Sequence, residues 1–151
     1  MPRYYKKRTY RGSRDKYSVE QQAGAVSVTA GTQTNVIVVP NTSIQGMRKV
    51  KHLTVSLAGV DESIGAAYWA LVYVPQGTTP STMSFTGTTG MYEPNQFVMN
   101  CGVVDFSAGP CRVYSPVSRN LNSGDSIYLL LVPTTGGVAS ISYVVKYAVT
   151  L

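Results

Sequence analysis

The 151 residues are 44% hydrophobic and only 13% charged, with a formal net charge of +6. That length suits one domain without room for two full cores, and the apolar content is too high for a wholly disordered chain. The longest apolar run, Ala66 to Val74, is nine residues, far short of the ~20 of a membrane-spanning helix.

The opening segment, MPRYYKKRTYRGSRDK, lacks the apolar centre of a secretory signal. Residues 1–16 set seven cations (Arg3, Lys6, Lys7, Arg8, Arg11, Arg14 and Lys16) against one acid, Asp15, so this arm holds the entire +6. The body, 17–151, balances six cations (Arg48, Lys49, Lys51, Arg112, Arg119, Lys146) against six acids. An arm so rich in charge cannot bury enough apolar surface to offset its ordering entropy and is expected to be disordered when alone. Tyr4, Tyr5 and Tyr10 are interleaved with the cations. That mixture suits single-stranded nucleic acid, whose phosphates attract the cations and whose bases stack on the rings. Seven such contacts would give a slope of log K on log salt of about −5. A solubilising tail, a membrane-surface patch and a nuclear-import signal are the competing readings.

From Tyr17 onward the chain is rich in Val, Thr, Ser and Tyr, residues that fit a pleated surface. Eight strands are predicted, at 17–29, 33–39, 48–58, 67–74, 96–103, 111–117, 126–132 and 138–149, separated by turn signals rich in Gly, Pro and Asn. In the third, alternation sends Leu53, Val55 and Leu57 one way and His52, Thr54 and Ser56 the other. AAYWALVYV and IYLLLV are apolar on both faces, which predicts cover from a second sheet within and from loops or a neighbouring subunit outside. A Pro/Thr/Gly-rich connection at 76–95 is long for a structureless loop; it is expected to project outward as surface relief or an inter-subunit contact. The expected fold is all-β: an eight-stranded double-sheet jelly roll over 17–151, with a barrel or an immunoglobulin-like sandwich as competitors.

Chemistry-bearing groups are few. His52 is the only histidine and has no carboxylate within several residues, so a solvent- or interface-facing strand position is expected rather than a triad. Cys101 and Cys111 flank VVDFSAGP; as a hairpin they would face each other, but buried free thiols are the expected outcome. No catalytic site, cofactor or metal site is predicted. Asp61, Glu62, Glu93 and Asp125 fall in predicted loops, where carboxylates are usually only solvated, though oxygen ligands for calcium remain an open alternative. Trp69 reads as core.

The Arg/Lys/Tyr-rich arm, the short all-β body, the Arg48-Lys49-Val50-Lys51 strand start and the Asp15-to-Gln21 step from arm to body (DKYSVEQ) resemble the capsid proteins of small circular single-stranded DNA viruses that encode a replication initiator, the circovirus-like and nanovirus-like groups. The resemblance implies a jelly roll that assembles as sixty copies into a T=1 shell, with arms facing packaged circular DNA in the virion. It also implies a role for the arm with the host nuclear import machinery; no membrane insertion is expected, from the shortness of the apolar runs. By the same resemblance Arg3, Lys6, Lys7, Arg8, Arg11 and Arg14 fall in the nucleic-acid-binding and import segment, and Arg48, Lys49 and Lys51 near the shell interior. A satellite-type RNA virus coat and a non-viral β-sandwich binding module, lectin or tumour-necrosis-factor-like, are the alternatives.

Overall fold

The computed structural model describes residues 17–59, 64–83 and 97–150. Among the described residues nine strands build two antiparallel sheets packed face to face, a β-sandwich. In chain order they are β1 (Ser18–Thr29), β2 (Thr34–Val39), β3 (Arg48–Gly59), β4 (Ala66–Val74), β5 (Phe97–Asp105), β6 (Cys111–Ser115), β7 (Arg119–Leu121), β8 (Ser126–Pro133) and β9 (Val138–Thr150). Sheet 1 runs β1-β9-β3-β6, with β7 also on β3, and sheet 2 runs β2-β8-β4-β5. The eight predicted strands are all present within a few residues. The ninth, β7, is three residues that extend the β3 ladder through Arg48↔Leu121 and Val50↔Arg119; its polar sequence carries no strand signal. Pro116, which lacks a donor for a ladder, follows the end of β6.

Between the sheets, Leu53, Val55 and Leu57 of β3 and Ile141 and Val145 of β9 meet Leu71 of β4 and Ile127, Leu129 and Leu131 of β8, all essentially without exposure. Trp69 joins this core and lies against β5 at Gly102, where an added Cβ would stand 3.2 Å from the indole Nε1. Gly24 makes a similar accommodation in β1. A Cβ there would come within 2.6 Å of the Tyr143 hydroxyl, so only glycine leaves that ring room to lie across the strand.

The two-sided apolar strands have the cover their composition demands. Ala70, Val72 and Val74 of β4 and Leu130 and Val132 of β8 point away from the core, yet they are buried in a second cluster with Met83. The connection after β4 therefore folds back over sheet 2 as far as Met83, rather than simply projecting outward. Gln33 pins it there, accepting from Met83 N at 2.6 Å and donating to Ser81 O at 3.1 Å. The expectation for the rest of this connection, 84–96, lies outside the described residues.

The alternation of β3 holds from Leu53 onward but slips before it. Lys51 pairs with Ala148 and Thr54 with Lys146, so β3 spends one residue more than β9 between these two pairs. The extra residue is His52, with a φ of 54°, a bulge. Strict period-2 alternation would place Lys51 on the buried side with Leu53; the bulge puts Val50 inside instead, at 1% exposure, and spares the ammonium a costly burial.

Cys101 and Cys111 do not form a hairpin pair. Cys101 is opposite Ala70 in sheet 2 and Cys111 opposite Leu57 in sheet 1, because the 3-10 turn Phe106–Ala108 carries the chain from one sheet to the other. Both thiols are free, and Cys101 is exposed rather than buried. Cys111 is half-buried, and that burial pushes its thiol pKa up.

Candidate nucleic-acid interface

Residues directly opposite in an antiparallel ladder project to the same face, so the register of sheet 1 settles which side chains share its outer surface. One row runs Gln21, Lys146, Thr54, Tyr114 across β1, β9, β3 and β6. The rows beside it carry Val19, Ala148 and Lys51 on one side, and Ala23, Val144, Ser56 and Arg112 on the other. Lys49 lies one row further, opposite Thr150 and Asn120. Four of the six body cations, Lys49, Lys51, Arg112 and Lys146, thus stand on one face.

No carboxylate among the described residues shares that face. Glu20 lies opposite Tyr147, on the inward side of β1; the Tyr147 phenol is pushed up by burial and then by the Glu20 charge, with Arg48 opposing. A depression of about 330 Å³ opens on the cationic face, lined by Tyr17, Val19, Lys51, His52, Lys146 and Ala148. A second, more polar one of about 370 Å³ lies between Lys49, Ser118, Arg119 and Asn120. Tyr17 and Tyr114 are 64% and 56% exposed, so their rings are open to a stacking partner. Ammonium and guanidinium groups with accessible rings, on a surface free of competing acids, can hold phosphates and stack bases.

The predicted site residues separate here. Lys49 and Lys51 are on the face. Arg48 is not: it lies opposite the buried Leu121, donates from Nη2 to Pro40 O at 2.8 Å, and its buried Nε has no hydrogen-bond partner among the described residues. Arm residues Arg3, Tyr4, Tyr5, Lys6, Lys7, Arg8, Tyr10, Arg11, Arg14 and Lys16 lie outside the described residues. Arg112 and Lys146 were missed because only the pairing of β6 and β9 with β3 brings them onto the same face as Lys51. Arg119 is held over two rings, 4.4 Å from the Tyr73 centroid and 5.1 Å from that of Phe97, a contact that uses the ring quadrupole. His52 is exposed at its bulge.

Asp125 is not a solvated loop carboxylate. It is 4% exposed and accepts from the Tyr73 hydroxyl at 2.7 Å, Asn122 N at 2.8 Å and Gln76 N at 3.0 Å. Burial alone would raise its pKa, but these hydrogen bonds outweigh that and hold the carboxyl below its ordinary value. Tyr73 is pushed up to about 12 by burial and then by the hydrogen bond to, and the charge of, Asp125, against the Arg119 charge. The group ties the β7–β8 turn to the end of β4. Among the described residues no cluster of three His, Cys, Asp or Glu could hold a metal; Asp61, Glu62 and Glu93 lie outside them. In comparison with known proteins, no family model matches the chain and no curated protein matches it significantly.

Proposed function

We propose that this chain is the capsid protein of a small circular single-stranded DNA virus, a jelly roll whose copies close into an icosahedral T=1 shell around the genome. Residues 1–16 and the outer face of sheet 1 would hold the packaged DNA. The observation that carries this reading is the junction of arm and body: Tyr17 lines the same depression as Lys51, His52 and Lys146, so in sequence the +6 segment adjoins the edge of a cationic face that holds no acid among the described residues. The body is otherwise neutral, which limits like-charge repulsion between packed copies while the arm attracts a polyanion.

The strand pairings support the jelly-roll assignment. They are nested, β1 with β9, β2 with β8, β3 with β6 and β4 with β5, as in a long antiparallel ribbon rolled into two sheets. Ile44 and Met47, 72% and 58% exposed on the β2–β3 connection, supply apolar surface suited to contacts between copies. The same arm would serve nuclear import, and no catalytic role is assigned.

Nuclease protection tests the reading. Full-length protein is expected to purify as large particles that shield nucleic acid, with deletion of residues 2–16 losing most of it. DNase against RNase sensitivity of the released strand separates the DNA virus from a satellite RNA virus coat. A protein that stays monomeric at low ionic strength and shields nothing contradicts the proposal, and a small discrete trimer would favour a non-viral binding module.

A further inference from the structure

Every open sheet leaves edge strands whose outward N–H and C=O groups lack partners, and proteins blunt such edges with short strands, prolines, charges or bulges. Three of the four edges here are blunted. β6 and β7 are five and three residues, split around Pro116 and bearing Arg112 and Arg119. β2 is six residues with a register shift between Ile37 and Val39. β5 has a shift opposite Leu71 and Val72 and ends on Asp105.

β1 carries one of these devices, the charge of Glu20 near its start, and none of the others. It is twelve residues long and pairs with β9 one to one, from Ser18↔Val149 to Thr29↔Val138, without a shift. It contains no proline and no cation, and one acid, Glu20. Its outer-face residues Val19, Gln21, Ala23, Ala25 and Ser27 are uncharged and exposed. Among the described residues its far side pairs with no strand.

We propose that this edge pairs with itself: two copies of the chain join β1 to β1, antiparallel, about a two-fold axis normal to sheet 1. The strand is self-complementary for such a contact. Centred on Ala23, the pairing sets Gln21 against Ala25, Val19 against Ser27 and Glu20 against Val26, so Glu20 never meets its twin. A two-fold contact requires one patch to complement itself, and a strand with a single charge away from its centre does so. The axis also keeps both outer faces on one side of the joined sheet. Lys51 and Lys146 of both copies then lie on one continuous cationic surface, which neither copy has alone. The inference concerns the contact between copies and stands apart from the capsid assignment.

A cysteine series in the full-length, nuclease-treated protein tests it, since nuclease treatment prevents a shared strand from bringing copies together. With Cys101→Ser removing the exposed native thiol, single substitutions Val19→Cys, Gln21→Cys, Ala23→Cys, Ala25→Cys and Ser27→Cys are oxidised mildly and run on non-reducing gels. Residues directly opposite in an antiparallel ladder have Cα atoms about 4.5–5.5 Å apart, within the span a disulfide bridges. The expected result is a covalent dimer that peaks severalfold at one central position, Ala23→Cys for the register above, and falls away on both sides. Background dimer throughout, or equal yield at all five positions, overturns the proposal.

Discussion

In sheet 2 the outward residues Ala70, Val72, Val74, Leu130 and Val132 are as buried as the inward ones, because the chain after β4 folds over them. In sheet 1 the outward positions Lys49, Arg112 and Lys146 are exposed, Lys51 is half-buried, and a twelve-residue edge lies open beside them. One core thus serves two different surfaces. The centre of sheet 2 is covered by its own chain, while sheet 1 keeps a polar, cationic face on the surface. The division also explains the bulge at His52, which keeps Lys51 on the outer side.

The contrast breaks most severely at the covered sheet. Leu130→Ala should destabilise by about 2–5 kcal/mol, as large-to-small core changes do. Thr54→Ala on the open face of sheet 1 should fall within about 0.5 kcal/mol of the parent. Urea denaturation of both variants compares the two faces directly.

Asp125→Ala should follow at about 2–3 kcal/mol, because three donors lose their buried acceptor. The pH dependence has a defined sign. The Asp125 pKa is depressed in the fold, so its contribution is present above about pH 4 and is lost as pH falls through the folded value. The Tyr73 pKa is raised, so its contribution is whole below about pH 10 and is lost as pH rises to about 12. Thermal melts across pH should show the acid limb weakened in Asp125→Ala and the alkaline limb weakened in Tyr73→Phe.

On the open face the readout is binding, not stability. Replacing Lys51 and Lys146 together with Ala should lower the salt slope for single-stranded DNA by about 1.4, at ~0.7 per phosphate contact. An equal loss from Arg48→Ala would erase the distinction between the face and the sheet interior. A small effect of opposite sign is expected at the bulge. His52→Gly should stabilise by up to about 1 kcal/mol, since glycine adopts a positive φ without the Cβ penalty.

Much of this division was legible in the residues. Period-2 alternation located β3 and β9, and the all-apolar runs of β4 and β8 announced a second layer of cover. The concentration of charge in residues 1–16 pointed to a polyanion. What eluded sequence reasoning depended on register. Lys146 and Arg112 reach the face that carries Lys51 only through pairing with β3, the His52 bulge reverses which of Val50 and Lys51 is buried, and the two cysteines fall in different sheets because a three-residue turn switches layers. Asp125 looked like a loop acid because its acceptors' partners, Tyr73 and Gln76, are some fifty positions away.

The most direct test of the account is an electron-microscopy reconstruction of the purified full-length protein. The account predicts uniform closed particles in which the Lys49–Lys51–Lys146 face of sheet 1 lines an interior holding nucleic acid. Isolated monomers, or particles with that face turned to the outside, would contradict it.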